Sequence, residues 1–203
     1  MSRSATSAAR EPGRGRPGGC GKGFVSWSGY SLLSLDHAVK KPQPREGTIN
    51  TEWLLGMIID EASIADAETI ATIHVAARQR AMPWLPALHT TDQVRLYFET
   101  MVLPIEKVLV AREGLQNVGF ISVNQGWLNH LYITPDHWGV GLGAKLLDAA
   151  RADADYLQLW VFQRNTSARR FYSRRGFCER EVTDGQENEE KEPDIRMDWV
   201  RRN

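Results

Sequence analysis

The sequence predicts one mixed α/β domain wrapped around a single sheet. Three observations carry the prediction: seven short runs of strand character, four stretches whose apolar residues recur at helical spacing, and their interleaving as βααβββαβαββ with no internal repeat. A chain of 203 residues, 42% hydrophobic and 25% charged, holds enough apolar material for one such core with some length to spare.

The spare length lies at the start. Residues 1 to 23 are rich in Ser, Arg, Gly and Pro, as in "EPGRGRPGGCGKG", and bury too little to offset the entropy of ordering them. Residues 1–56 are therefore predicted to be a disordered extension and residues 57–203 the folded domain. The basic, acid-poor start also suits a targeting segment or a nucleic-acid tail. However, "FVSWSGYSLLSL" is broken by Ser and Gly and lacks a convincing cleavage site, which favours a plain extension ahead of Met57.

From Met57 each element has a local reason. "MIIDEA" reads as a strand, and Asp66 is placed to cap a helix whose inner face is Ala67, Ile70, Ala71, Ile73 and His74. Pro83 and Pro86 end that region. A second helix is predicted over 91–100, buried through Val94, Leu96, Tyr97 and Phe98. "KVLVARE" and "NVGFISVN" form a hairpin about Gly114, and "WLNHLYIT" follows Gly126 as a third strand, stopped by Pro135. A helix to about Asp153 packs through Leu142, Leu146, Leu147 and Ala150. "YLQLWVF" is a strand, "TSARRFYSRR" a helix ended by Gly176, and "GFCEREV" and "DIRMDWV" are the last strands.

Composition excludes several classes. Residues 1–50 hold eight Lys or Arg against three Asp or Glu, and the remainder 17 against 22, so the domain is mildly acidic and no nucleic-acid partner is expected. No apolar run approaches the roughly 18 residues of a membrane span, so no membrane partner is expected either. Cys20 and Cys178 supply neither a disulfide framework nor metal-ligand spacing, which points to a reducing, cytoplasmic setting without a metal.

The segment "HWGVGLGAKLLDAARAD", residues 137–153, places Gly139, Gly141 and Gly143 directly ahead of an amphipathic helix. Bare backbone there lets several amides point at one anion, which suits a phosphate. A Walker loop is excluded because Lys145 follows Gly143 by two and no hydroxyl comes after it. A dinucleotide site is disfavoured because the preceding strand follows an antiparallel meander. Taken alone, the loop also reads as a flexible turn.

Two motifs in the right order narrow the choice. "LYITPDHWGVGLGAKLL" resembles the cofactor motif of the GCN5-related N-acetyltransferase (GNAT) family, and "LWVFQRNTSARRFYSRRGF" resembles its second motif. The resemblance spans about residues 57–200 and implies a single-domain fold with a central mixed, mostly antiparallel sheet flanked by helices. It implies that Gly139, Val140, Gly141, Leu142, Gly143 and Ala144 grip the pyrophosphate of acetyl-CoA. It further implies that Leu131, Tyr132 and Ile133 pair with the pantetheine arm and aim an N–H at the thioester carbonyl. Asn165 matches the Asn that contacts that arm, and Tyr172 the usual general acid. Trp138 departs from the family's frequent Gln or Arg, though an aromatic can still flank a cradle made of backbone.

Acetyl transfer to an amine needs a neutral amine, a donor for the developing oxyanion and a proton for the departing thiolate. A tyrosine of pKa about 10 can serve a thiol of pKa about 8.5 when local fields move either by a unit or more. Without the resemblance Tyr172 reads first as a half-buried aromatic packed beside Phe171 and Phe177. The base stays open. Many relatives place a Glu on the strand ahead of the loop, where this chain has Asn129 and His130. Strict alternation would send these two to opposite faces. His130 has a suitable ordinary pKa, yet it also reads as structural, and water can serve instead.

The acceptor site is predicted between "RAMPWLPALHTTD", offering Trp84, Leu85 and His89, and "TDGQENEEKEPD", whose carboxylates would attract a cationic amine or merely keep a loop wet. The acceptor is thus an amine-bearing small molecule or peptide, with a homodimer left open. Against an enzyme stands a second class, a non-catalytic acyl-CoA-binding module.

Overall fold

The computed structural model describes residues 56–202; the expectation of a disordered N-terminal extension falls almost wholly outside the described residues. Seven strands, β1 (Met57–Glu61), β2 (Lys107–Glu113), β3 (Gln116–Asn124), β4 (Trp127–Ile133), β5 (Tyr156–Phe162), β6 (Cys178–Val182) and β7 (Asp194–Val200), form one sheet in the order β1-β2-β3-β4-β5-β7-β6. The helices are α1 (Ala67–Ala81), α2 (Thr91–Tyr97), α3 (Leu142–Arg151) and α4 (Thr166–Arg174), and a π turn at Phe98–Val102 continues α2. Every neighbouring pair of strands is antiparallel except β4 and β5. The sequence-based order of elements is the observed one.

Two apolar clusters sandwich the sheet. On one face Ile70, Ala71, Ile73 and Ala77 of α1 meet Val94, Phe98 and Val102, Phe120 of β3 and Tyr132 of β4. On the other, Leu142, Leu146, Leu147 and Ala150 of α3 join Ala168, Phe171 and Tyr172 of α4 over Leu128, Leu131, Leu157 and Leu159. Period-two alternation explains β5, where Leu157, Leu159 and Val161 face one cluster and Trp160 and Phe162 the other.

Three local expectations need correction. Asp66 stands at the start of α1 but makes no side-chain cap there. Its carboxylate turns back to accept from the Ser63 amide at 2.8 Å and Oγ at 3.1 Å, and from Asn117 Nδ2 at 2.9 Å, beside Arg112. It closes a capping box on the preceding 3-10 turn. Leu96 is 53% exposed, because it stands two residues from both Val94 and Phe98 and so points to the helix face opposite the one they bury.

Asn129 and His130 do not alternate across the sheet. The pairing of β3 with β4 slips between Ser122 and Val123, where Ser122 faces His130 but Val123 faces Leu128, so Asn129 is one residue extra. Leu128 and Leu131 accordingly enter the same cluster three residues apart, while His130 packs against Phe98 and Phe120 on the opposite face.

Gly119 on β3 is tightly enclosed by β4 and α3. A Cβ there would lie 3.1 Å from both Ile133 Cγ1 and the Tyr132 carbonyl oxygen, and 3.4 Å from Leu146 Cδ1 of α3. Overpacking of this kind costs about 1–3 kcal/mol. Gly119→Val should therefore lower the thermal midpoint by several degrees, and an unchanged midpoint in a melting experiment would show that β4 and α3 yield freely.

Candidate functional site

The ladder between β4 and β5 is a single bridge, Trp127 opposite Gln158, reinforced by the Gln158 amide donating to the Gly126 carbonyl at 2.8 Å. Beyond it the two parallel strands part. On the β3 side Thr134 donates to Val118 at 2.9 Å, and antiparallel parity then turns Tyr132 toward β3 and the backbone groups of Leu131 and Ile133 toward the gap. The Ile133 carbonyl is already engaged by the Trp138 indole, whose Nε1 donates to it at 2.8 Å. The strand edge therefore offers the Leu131 amide and carbonyl and the Ile133 amide.

Trp138 also fastens the glycine loop to the sheet. Gly139 and Gly141 have φ of +79° and +89°, values that side-chain-bearing residues rarely adopt, and Gly141 is the N-cap of α3. Among the described residues the amides of residues 139–143 donate to no backbone carbonyl, whereas those of Ala144 and Lys145 already bond Gly141 at 3.1 and 3.2 Å. The run of donors without a backbone acceptor thus stops one residue short of Ala144. Leu142 and Gly143 are buried in the first turn, and Val140 rests against the core.

After β5, Asn165 caps α4 through Oδ1, which accepts from the Ala168 amide at 3.1 Å. Its Nδ2 is buried with no hydrogen-bond partner among the described residues, and the same holds for the Tyr172 hydroxyl. Tyr172 is fully buried, its ring edge-on to Phe171 and Phe177 at 5.1 and 5.2 Å. Burial raises its pKa well above the ordinary tyrosine value, with Tyr132 adding to the rise, so the phenol keeps its proton. The cradle, the open strand edge and these two orphaned donors all follow the carboxyl ends of β4 and β5, where strand divergence leaves room for a ligand.

On the α1 side of β4 lies a cavity of about 80 Å³. One water takes about 10–15 Å³ on the same measure, so the space suits a small organic group. It is walled by α1 residues His74 and Arg78, by Leu85 and His89, and by Glu189 and Glu190 from the loop at 183–193 between β6 and β7. The two segments expected to flank an acceptor thus meet at one cavity. Trp84 lies outside this wall, its ring beneath the Arg164 guanidinium at 4.9 Å, while His89 lines it and bonds Glu189 at 2.8 Å.

The carboxylate-rich loop is a built structure. Asn188, 6% exposed, donates to the Glu192 carbonyl at 2.7 Å and to Asp194 at 3.1 Å, and accepts from the Glu192 amide at 3.2 Å. Gly185, at φ +80°, lets the Glu192 backbone approach within 2.2 Å of where a Cβ would stand. Arg78 pairs with Glu190 and joins α1 to this loop. The sequence reading missed Arg78; its signal was its position one turn beyond His74 on the same helix face.

His130 lines the cavity but lacks the properties of a base. It is 2% exposed, both ring nitrogens lack partners among the described residues, and burial, helped by the Arg78 charge, lowers its pKa to about 3. His74 is lowered well below 6.5 by burial, then by His130, Arg78 and His89. Tyr132 is raised to about 12 by burial, with Arg78 opposing and Glu190 adding. Asn129 faces elsewhere, donating to Glu106 at 2.9 Å, and burial raises the Glu106 carboxyl above its ordinary range. Among the described residues no group of three or more His, Cys, Asp or Glu is arranged for a metal, and no helix is long and apolar enough to cross a membrane.

Comparison with known proteins agrees with this architecture. Residues 104–179 match the family model described as an acetyltransferase (GNAT) domain. An uncharacterised N-acetyltransferase of Archaeoglobus fulgidus is 30% identical over 82 residues, 32% of this chain and 56% of the relative, so the chain spans little more than half that protein's length. The apo form of YjaB from Escherichia coli superposes with a TM-score of 0.61 at 25% identity, covering 71% of this chain and 97% of the other. YncA of Salmonella typhimurium, a putative acetyltransferase solved with acetyl-CoA, is similar in fold with a TM-score of 0.55 at 21% identity, covering 72% and 95%. The fold is the one seen in solved structures of GNAT-type acetyltransferases. Over residues 104–179 the chain is thus similar in sequence to GNAT-type acetyltransferases, and it shares their fold.

The depressed pKa of His130 fixes the sign of a pH effect. The unfolded chain binds a proton below about 6.5 that the folded ring refuses. This contribution to stability is complete above that pH and is lost as the pH falls toward 3, at up to about tenfold in the folding equilibrium per unit. The His130 ring should remain neutral at pH 5 in an NMR titration; a midpoint near 6.5 would mean that water reaches it.

Proposed function

We propose that the protein is an acetyl-CoA-dependent N-acetyltransferase that moves the acetyl group to an amine by direct attack on the thioester. One observation carries the reading: the free amides of the glycine loop, the unpaired β4 edge, and the orphaned Asn165 Nδ2 and Tyr172 hydroxyl all follow the carboxyl ends of the two diverging strands. When bound, acetyl-CoA supplies an activated acyl group and a thiolate leaving group.

The chain's own groups then divide the work. Amides of Gly139 to Gly143 hold the pyrophosphate at the positive end of α3. The Leu131 amide and carbonyl and the Ile133 amide extend the sheet by pairing with the pantetheine arm, one N–H being aimed at the thioester oxygen. Asn165 Nδ2 donates to the arm. Tyr172, kept protonated by its buried position, delivers its proton as the carbon–sulfur bond breaks. The acceptor enters from the cavity bounded by α1, residues 85–89 and the 183–193 loop.

The donor half is tested by melting the full chain with acetyl-CoA, NAD and ATP. A ligand at 100 times its dissociation constant adds about 2.7 kcal/mol, which is several degrees for a domain of this size. A rise with acetyl-CoA alone is expected; none in a folded sample would remove the cradle. Tyr172→Phe should lower kcat by roughly 100-fold or more with little change in that rise. Full donor binding without acetyl transfer to any amine would favour the non-catalytic acyl-CoA-binding module.

A further inference from the structure

Glu190 occupies an unusual position for a carboxylate on a surface loop. Its side chain is only 5% exposed and is paired on one oxygen with Arg78. The other oxygen, Oε2, is buried with no hydrogen-bond partner among the described residues. Loop construction places it there: the Asn188 bonds and the tight passage of Gly185 against Glu192 leave the segment little freedom. Arg78 and Glu190 both act on the Tyr132 hydroxyl, so the pair stands at the β4 end of the cavity, beside the strand whose edge opens into the gap.

The rest of the cavity defines what would meet that oxygen. Of the two carboxylates in the wall, Glu189 is bonded to the His89 ring and Glu190 is paired on one oxygen with the one permanent cation, Arg78, which leaves room for a positive charge at Glu190 Oε2. His74 and His130 are neutral and repel no ammonium. Away from Glu190 the wall is mainly Met82, Leu85, Leu88 and Val94, interrupted by Gln79, Tyr97 and Glu189, whose Oε1 is already engaged by His89; a further charge set against the apolar residues would lie unpaired.

We propose that Glu190 receives the acceptor amine and takes its proton, and that the acceptor is a primary monoamine carried on an apolar body. The proposal rests on the acetyl-transfer reading. Glu190 Oε2 accepts a proton from the ammonium, an N–H bond breaking and an O–H bond forming, and the freed nitrogen pair attacks the thioester carbon. The carbon–sulfur bond breaks with its electrons on sulfur, which is protonated by Tyr172. The second amine proton restores Tyr172, and the proton on Glu190 leaves to solvent. One ammonium and one thioester thus yield one amide, one thiol and one released proton.

Binding of 2-phenylethylamine to the full chain, measured by calorimetry without donor, is the test. Its affinity should exceed that of the neutral isostere 2-phenylethanol, of spermidine and of phenylalanine by at least tenfold, and Glu190→Gln should reduce it by tenfold or more. Glu190→Gln should leave the acetyl-CoA melting shift intact, and in turnover should raise the amine KM and lower kcat. No amine binding, equal binding of the alcohol, preference for spermidine or phenylalanine, or an unaffected variant would each overturn the proposal. The alcohol comparison uses the unaltered protein and stands if the variant does not fold. Loss of the acetyl-CoA shift in the unaltered protein would instead overturn the acetyl-transfer reading, and with it the proton-accepting role.

Discussion

The arrangement of the site depends on one interrupted ladder. β4 and β5 are the only parallel neighbours among the described strands, and they bond at one position before separating. Had they paired along their length, the Leu131 and Ile133 amides would be consumed inside the sheet, and no open edge would lie between α3 and α4. The parting also sets two helix starts side by side, because each strand runs directly into a loop and then a helix. Unsatisfied backbone is costly when buried and useful when a ligand can satisfy it. Trp138 makes the compromise explicit by covering one carbonyl of that edge with its indole while the neighbouring groups stay open.

A second constraint is the extra residue at Asn129. It rotates the start of β4 by one position relative to its end, so that the same strand delivers Leu128 and Leu131 to one core and His130 and Tyr132 to the other. The aromatic layer around His130, with Phe98 at 5.0 Å and Phe120 at 6.1 Å, is what removes the ring from water and strips it of basicity. A residue chosen for its ordinary acid–base range therefore behaves as a neutral wall, and the carboxylates come from the far end of the chain.

Element order was legible in the sequence because it depends on local matters: strand alternation, helical spacing, and breakers such as Pro135 and Gly176. The glycine loop was legible too, since positive φ at Gly139 and Gly141 is a backbone demand that few residues meet. What was not legible depends on partners distant in sequence. The bulge at Asn129 is visible only against β3, the turning away of Asp66 only against Arg112 and Asn117, and the basicity of His130 only against the rings that enclose it. The run "TDGQENEEKEPD" read equally well as an acidic lip or as solvated charge, because nothing local separates the two; here Asn188 and Gly185 give it an interior, and Arg78, more than a hundred residues earlier, gives it a neighbour.

That loop also separates two kinds of change. The proposed donor site is built largely of backbone between β4 and α4, whereas the 183–193 loop, one side of the proposed acceptor wall, hangs from the outer hairpin of β6 and β7 at the sheet's edge. Replacing the hairpin's connection would leave every strand pairing and both glycine-loop turns in place. One side of the proposed acceptor cavity can therefore drift or be redesigned by exchanging a single peripheral segment, while α1 and residues 85–89 keep the other side and the rest of the domain serves as a fixed chassis.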